Sequence, residues 1–129
     1  MITEDYISFE TAKLLKEKGF CEPCYTCYIN KELSHYDYLS TNFKLIDDVI
    51  SAPTLQMAMK WLRIKHNIHI RTSPYGPYSN NGKFFKYKFE IITMFYETMI
   101  CVGGHKDEGY QSNEQACEAA IVYCLENLV

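Results

Sequence analysis

Apolar and polar residues near the start of the chain follow the spacing of an amphipathic helix. The pattern predicts a helix over residues 9–18. Ser8 is a good N-cap, and Glu10 lies in the first turn, where the helix dipole favours a negative charge. Gly19 can take the left-handed conformation that commonly follows a helix. The start and stop signals therefore agree on one short helix.

A second helix is predicted over residues 54–65. Pro53 disfavours the helical conformation at Ala52 and suits the first turn of a helix, while Asn67 can close the far end. The apolar residues of this segment are the stripe of Leu55, Ala58, Met59 and Leu62, widened by Met57, Trp61 and Ile64. A stripe this broad indicates a well-buried helix.

Strand signals occupy the segments between and after these helices. Residues 24–38 predict a β-hairpin that turns at Asn30-Lys31-Glu32. A third strand begins at Ile68 and is expected to end at residues 73–77, where prolines and a glycine lie. A turn is expected at residues 80–82. A fourth strand follows, in which Phe85, Tyr87, Phe89 and Ile91 alternate with Lys86, Lys88 and Glu90. A fifth strand should end near Val102.

The last element is predicted to be a helix that runs to about Asn127. Residues 112–115 have the pattern of a capping box. The buried side of this helix is expected to consist of Cys117, Ile121, Cys124, Leu125 and Leu128. The predicted order is α-β-β-α-β-β-β-α, which favours an α+β fold with helices packed on an antiparallel sheet. The 129 residues show no repeat or linker, so we expect a single domain over residues 1–129.

Composition places the chain among ordinary globular proteins. Hydrophobic residues make up 47% and charged residues 22%, which excludes a disordered chain. No apolar run is long enough to cross a bilayer, and the N-terminus lacks the pattern of an export signal. We therefore expect a cytoplasmic protein whose six cysteines stay reduced. Cys101, Cys117 and Cys124 are expected to be small buried apolar residues.

Several segments of the chain carry a family resemblance. They are Ser8-Phe9-Glu10-Thr11-Ala12, residues 14–20, Pro23-Cys24, Ser51-Ala52-Pro53-Thr54 with Gln56, Lys60-Trp61-Leu62-Arg63, His66-Asn67-Ile68, and the acidic, Ala-rich ending over residues 114–128. Together they resemble a family of short uncharacterised proteins encoded by Bacteroidetes-type bacteria and their phages or prophages. The resemblance implies a mobile-element origin and a cytoplasmic setting, and it assigns no activity, cofactor or catalytic residue.

Cysteine and histidine spacing raises the question of a metal site. Cys21, Cys24 and Cys27 form two overlapping C-x-x-C units, and His66 and His69 follow downstream. The histidine pair is closer than usual zinc spacing, and an odd separation along a strand places Cys24 and Cys27 on opposite faces. These cysteines also follow a helix C-terminus, where the dipole raises a thiol pKa and disfavours redox chemistry. The sequence thus favours buried small residues near a sheet edge, with no metal and no cofactor.

Charge is distributed unevenly along the chain. Residues 49–89 contain seven Lys and Arg and no acid, whereas the segments before and after carry net charges of −4 and −6. Strand alternation places Arg71, Lys86 and Lys88 on the face away from the apolar side chains. With Lys83, they are the candidate residues for binding an anion or nucleic acid. The alternative is that the acidic final helix lies beside this block and neutralises it.

The sequence shows no catalytic constellation. It has no G-x-S-x-G elbow, no glycine-rich phosphate loop, and no histidine with a paired Ser or Cys signature. We therefore expect a non-catalytic phage or prophage accessory protein that binds another protein, and no membrane partner. Nucleic-acid binding through residues 49–89 is the alternative. Basic side chains that share one exposed face would favour the alternative, and basic side chains that face acids would weaken it.

Overall fold

The described part of the chain has the predicted α+β class. The computed structural model describes residues 1–40, 49–78, 84–95, 98–103 and 109–129. The elements in these residues are α1 (Phe9–Glu17), β1 (Cys24–Ile29), β2 (Glu32–Ser40), β3 (Val49–Ser51), α2 (Leu55–His66), β4 (Ile68–Tyr78), β5 (Phe84–Phe95), β6 (Thr98–Gly103) and α3 (Asn113–Asn127). The predicted order is confirmed, with the short strand β3 added before α2. Lys83 and the turn predicted at residues 80–82 lie outside the described residues.

The strands form two antiparallel sheets that share one core. The strand order is β2-β1-β3 in the first sheet and β4-β5-β6 in the second. Helix α3 packs on β4 and β5, α2 packs on β4 and α3, and α1 lies against β3 and α3. One cluster of buried side chains joins the layers, including Leu15, Ile50, Leu62, Ile91 and Ile121. Helices therefore pack on antiparallel strands, as predicted, and these strands form two sheets where one was expected.

Helix α1 begins and ends at the predicted signals. The Ser8 hydroxyl accepts a hydrogen bond from the Thr11 backbone N–H at 3.3 Å. At the other end, Gly19 has φ +98° and the Phe20 N–H donates to the Leu15 carbonyl at 3.0 Å. This bond, which spans six residues, is one of the two that define a Schellman motif at a helix C-terminus. It turns the chain so that Phe20 enters the core.

Helix α2 starts one residue later than predicted. Thr54 is its N-cap, because the Thr54 side chain accepts a hydrogen bond from the Met57 N–H at 3.1 Å. Pro53 therefore precedes the cap, and the expectation that it lies in the first turn is wrong. The Pro53 carbonyl instead accepts from the Ile7 N–H at 3.1 Å, which ties the N-terminal segment to the helix start. Asn67 closes the helix in the left-handed conformation, as predicted.

Helix α3 begins with a variant of the predicted capping box. Ser112 accepts from the Gln115 N–H at 3.1 Å, and the Gln115 side chain reaches back to the Gln111 N–H, also at 3.1 Å. In the usual box the second bond goes to the N-cap residue itself. The predicted positions Cys117, Ile121, Cys124 and Leu125 are buried, and Leu128 is half-buried. No helix in the described part is both long and apolar enough to cross a membrane.

The hairpin β1–β2 turns at the residues predicted for it. Ile29 pairs with Glu32, which leaves a two-residue loop of Asn30 and Lys31. Both loop residues have positive φ, at 51° and 68°. Two consecutive positive φ values define the type I′ turn, whose twist matches that of the flanking strands.

Strand β4 continues through the residues that were expected to end it. Pro74 pairs with Tyr87 of β5, and the register shifts between Tyr75 and Tyr78. Strand β4 is the outer strand of its sheet, where a proline costs no hydrogen bond on the open side. The prolines therefore accompany an irregular edge strand instead of a turn.

Candidate functional site

Three of the four candidate anion-binding residues lie on one face of the second sheet. The pairing of β4 with β5 places Arg71 opposite Glu90. Lys86 and Lys88 share the face of Glu90, because residues two apart on a strand point to the same side. The other face of β5 carries the buried Phe89 and packs against α3. Arg71, Lys86 and Lys88 thus share the outer face of this sheet, as the alternation predicted.

An acid lies in the middle of this outer face. Arg71 donates to one oxygen of Glu90 in an ion pair, and the Lys88 Nζ lies 3.7 Å from the other oxygen. The hydrogen bond from Arg71 lowers the pKa of Glu90. The acid that faces Arg71 and Lys88 therefore comes from β5 itself, whereas the alternative expected acids of α3 beside the basic block.

The cysteines of the two C-x-x-C units divide between surface and interior. Cys21 is exposed, whereas Cys24 and Cys27 are buried in β1. Burial, followed by the nearby Glu22, raises the pKa of the Cys24 thiol to about 11. Cys27 pairs with both neighbouring strands, so it lies in the middle of its sheet and not near an edge. The Cys24 thiol is therefore neutral at neutral pH.

The two candidate histidines are not brought to the cysteines. His66 is half-buried and packs edge-on against Trp61, with 4.8 Å between the ring centroids. His69 is exposed on β4. Within the described ranges, no three His, Cys, Asp or Glu side chains gather where they could hold a metal ion. The described geometry therefore offers no metal centre at these residues.

A groove with a volume of about 390 Å³ runs along the outer side of α2. We call it the α2 groove, and its lining residues are Glu22, Pro23, Met57, Lys60, Trp61, Ile64 and Lys65. Two of them come from the segment between α1 and β1, and five come from α2. A short connection packed beside a helix thus forms the two walls.

The apolar walls of the α2 groove correct a sequence-based prediction. Met57 and Ile64 were expected to widen the buried stripe, but their exposed fractions are 39% and 66%. The buried row of the helix contains Leu55, Ala58 and Leu62, and the helix packs on β4 and α3. These neighbours cover only one side of α2, so Met57 and Ile64 remain in contact with solvent.

A buried aromatic ring forms the floor of the α2 groove. Trp61 is only 6% exposed, which confirms the expectation that it belongs to the core. Its ring packs edge-on against Phe20 at 5.5 Å between centroids, and against His66 at 4.8 Å. The Met57 Sδ lies 3.8 Å from the Cys24 Sγ, which supports the adjoining wall. The floor is therefore held by contacts to the interior.

Positive charge surrounds this apolar floor. Helix α2 contains no Asp or Glu, and Lys60, Arg63 and Lys65 are all exposed. No ion pair of Lys60 or Lys65 is formed with another described residue. Glu22, on the opposite wall, is the one acid among the described lining residues. The α2 groove thus combines an apolar floor with a mainly cationic rim, which suits a ligand that is both apolar and acidic.

Sequence reasoning did not select the α2 groove. One signal was present, because seven apolar residues over positions 55–64 cover more of the helix circumference than one packing face needs. Some of these seven residues therefore had to remain exposed to solvent. Only the tertiary arrangement decides which residues of the broad stripe are left uncovered.

Comparison with known proteins identifies no relative of this chain. No protein-family model matches the chain, and no curated protein and no solved structure matches it. The resemblance to phage and prophage proteins therefore stays a prediction. The described features that bear on function are the α2 groove and the outer face of the second sheet.

Proposed function

We propose that this chain is a non-catalytic, cytoplasmic accessory protein of a phage or prophage, and that it binds another protein through the α2 groove. The observation that carries the proposal is Ile64, 66% exposed beside the buried ring of Trp61. Exposed apolar side chains around an aromatic floor are typical of binding surfaces. The phage setting and the cytoplasmic setting both rest on the sequence resemblance.

The charge of the α2 groove indicates the chemistry of the partner. Lys60 and Lys65 flank the apolar floor, and α2 supplies no acid to neutralise them. A partner segment with apolar residues on one side and carboxylates along its edges would satisfy both features. An amphipathic acidic helix laid in the groove is the simplest such segment.

Trp61 provides a direct test, because it is the single tryptophan of the chain. A synthetic helical peptide with Leu on one face and Glu at the flanks should change the Trp61 emission in a saturable way. The same peptide with Lys in place of Glu should bind much more weakly. Ile64→Ser should weaken the acidic peptide by about tenfold or more, since burial of such a side chain contributes about 1.5–3 kcal/mol.

Leu33→Ser is the matched control, because Leu33 is also an exposed apolar residue, at 39%, and does not line the α2 groove. This variant should bind the acidic peptide as the wild type does. Equal binding of both peptides, or an Ile64→Ser variant with full affinity, would contradict the proposal.

Nucleic-acid binding through the outer face of the second sheet is the second candidate. It is supported by the placement of Arg71, Lys86 and Lys88 on one face. Glu90 weakens this candidate, because it pairs with two of the three cations and repels phosphate. We therefore rank it below protein binding.

The second candidate is tested with single-stranded and duplex DNA and RNA at low and physiological salt. Phosphate contacts weaken steeply with salt, so any binding should be strongest at low salt. It should be lost in Lys86→Glu/Lys88→Glu and retained in Lys60→Glu/Lys65→Glu, which changes the net charge equally. Absence of binding at low salt would eliminate this candidate.

A further inference from the structure

We propose that the α2 groove receives a second copy of this chain, which docks through the surface between its α1 and α3. The inference rests on the proposed function, because it names the partner of the same groove. It is carried by the complementarity of two grooves on one chain.

A groove of about 260 Å³ lies between α1 and α3. We call it the α1–α3 groove, and its lining residues are Glu10, Thr11, Lys13, Leu14, Glu17, Val122 and Glu126. Leu14 and Val122 are half-buried, whereas the three acids are exposed. This groove therefore has an apolar centre and a mainly acidic rim, the inverse of the charge in the α2 groove.

The apolar parts of the two grooves also fit one another. Ile64 stands out of the α2 groove with two-thirds of its surface exposed. Leu14 and Val122 offer partly covered apolar surface between two helices. An exposed side chain on one copy can thus fill an apolar depression on the next. Even the minority charges are opposite, with Glu22 in one groove and Lys13 in the other.

Two of the acids lie where folding does not explain them. Glu17 is the last residue of α1, and Glu126 lies in the last turn of α3. The negative end of a helix dipole disfavours a carboxylate at both places. Neither acid forms an ion pair with any other described residue. A cationic partner from outside the chain, such as Lys60 and Lys65 of another copy, would offset this cost.

The contact has a defined symmetry. The described linings of the two grooves have no residue in common, so one copy can use both at the same time. A contact between two different surfaces is heterologous, and it grows into a ring or an open chain instead of stopping at a dimer. In an open chain, one end keeps a free α2 groove.

The first test is mass as a function of concentration. Light scattering should show the average mass rising above the 15.1 kDa of one chain as concentration increases. Added salt should lower the mass again, because screening weakens contacts between exposed charges. A mass of one chain at every concentration would overturn the self-association, while acidic-peptide binding would still support the proposed function.

Charge exchange tests the surfaces themselves. Lys60→Glu/Lys65→Glu makes both grooves of one chain acidic, and Glu17→Lys/Glu126→Lys makes both basic. Each variant alone should lose self-association, and an equimolar mixture of the two should recover it. All four positions are exposed, so circular dichroism should show folded proteins.

Lys86→Glu/Lys88→Glu is the control for net charge, and it should associate like the wild type. Failure of the mixture to associate, or unchanged association of either double variant, would overturn the assignment of the surfaces. In that event, loss of acidic-peptide binding in Lys60→Glu/Lys65→Glu would still support the α2 groove as a binding site for another protein.

Discussion

Trp61 combines two roles that are usually held by different residues. Its ring is buried in contact with Phe20 and His66, and Trp61 also lines the α2 groove. A substitution there affects both the core and the groove. Binding should therefore be tested by substituting Ile64, which is exposed, and the stability of the core should be tested by substituting Trp61.

Trp61→Ala should lower the free energy of unfolding by about 3–5 kcal/mol, as for other large aromatic residues removed from a core. Urea unfolding followed by circular dichroism measures this effect. In the wild type, the Trp61 emission should be blue-shifted and resistant to iodide. Emission like that of free tryptophan, or a negligible loss of stability, would contradict the buried position.

At the residue scale, the sequence predicted the features that depend on near neighbours. Ser8 and Ser112 form helix caps because each hydroxyl accepts a hydrogen bond from the backbone N–H three residues further along the chain. Met57 and Ile64 were misplaced because helical spacing shows which residues share a face and not how much of that face is covered. Coverage depends on distant strands and helices.

Helix α2 ends on a conformation that few residues tolerate. Asn67 has φ 52° and ψ 39°, and its backbone accepts from the Thr93 hydroxyl at 3.2 Å. Asn67→Ala should cost about 1 kcal/mol, since a β-carbon without a polar side chain disfavours this region. Asn67→Gly should cost little or nothing. Chemical unfolding of both variants measures the difference, and equal losses would contradict a conformational cause.

The ion pair between β4 and β5 should give stability a pH dependence. Arg71 lowers the pKa of Glu90 in the folded chain, so the stabilisation is present above the usual carboxyl pKa and is lost as pH falls through the lowered value. Glu90→Gln should be less stable than the wild type at neutral pH, with a gap that closes in acid. Unfolding midpoints across this pH range provide the measurement.

Glu32→Gln is a suitable comparison for Glu90→Gln, because Glu32 is exposed on β2 and forms no ion pair with another described residue. At neutral pH, Glu32→Gln should differ less in stability from the wild type than Glu90→Gln does. A gap for Glu90→Gln that grows towards acid pH would have the wrong sign and would refute the role of the ion pair.

Element types were easier to predict from sequence than element neighbours. The hairpin was predictable because Asn30 and Lys31 connect strands that are adjacent in the chain. Strand β3 was missed because it has three residues and pairs with β1 across a long separation. The position of Glu90 opposite Arg71 likewise depends on the register between β4 and β5, which no single strand specifies.

The first and last helices are joined by one carboxylate. Glu118 of α3 accepts from the Thr11 hydroxyl at 2.5 Å and from the Ser8 backbone N–H at 3.0 Å. Thr11 is buried. Glu118→Ala should therefore cost about 1–3 kcal/mol, the usual penalty for leaving a buried polar group without a partner, here the donating hydroxyl of Thr11. Glu118→Gln keeps an acceptor oxygen and should cost less.

Glu126→Ala is the control for Glu118→Ala, because Glu126 lies on the same helix and is exposed. At low protein concentration its effect should stay within about 0.5 kcal/mol. Thermal or urea unfolding of Glu118→Ala, Glu118→Gln and Glu126→Ala measures the loss of stability in each variant. Equal effects of Glu118→Ala and Glu126→Ala would show that the bond to Ser8 and Thr11 does not contribute to stability.

This bond also has a consequence for synthesis on the ribosome. Ser8 and Glu118 are 110 positions apart, so the start of α1 waits for its partner until nearly the whole chain has been made. At usual translation rates the delay is roughly 5–20 s. The β4–β5 surface that α3 later covers is also bare from the synthesis of β5 until α3 follows it. The nascent protein should therefore depend on chaperones more than its small size suggests, and chains that stop before α3 should aggregate or be degraded.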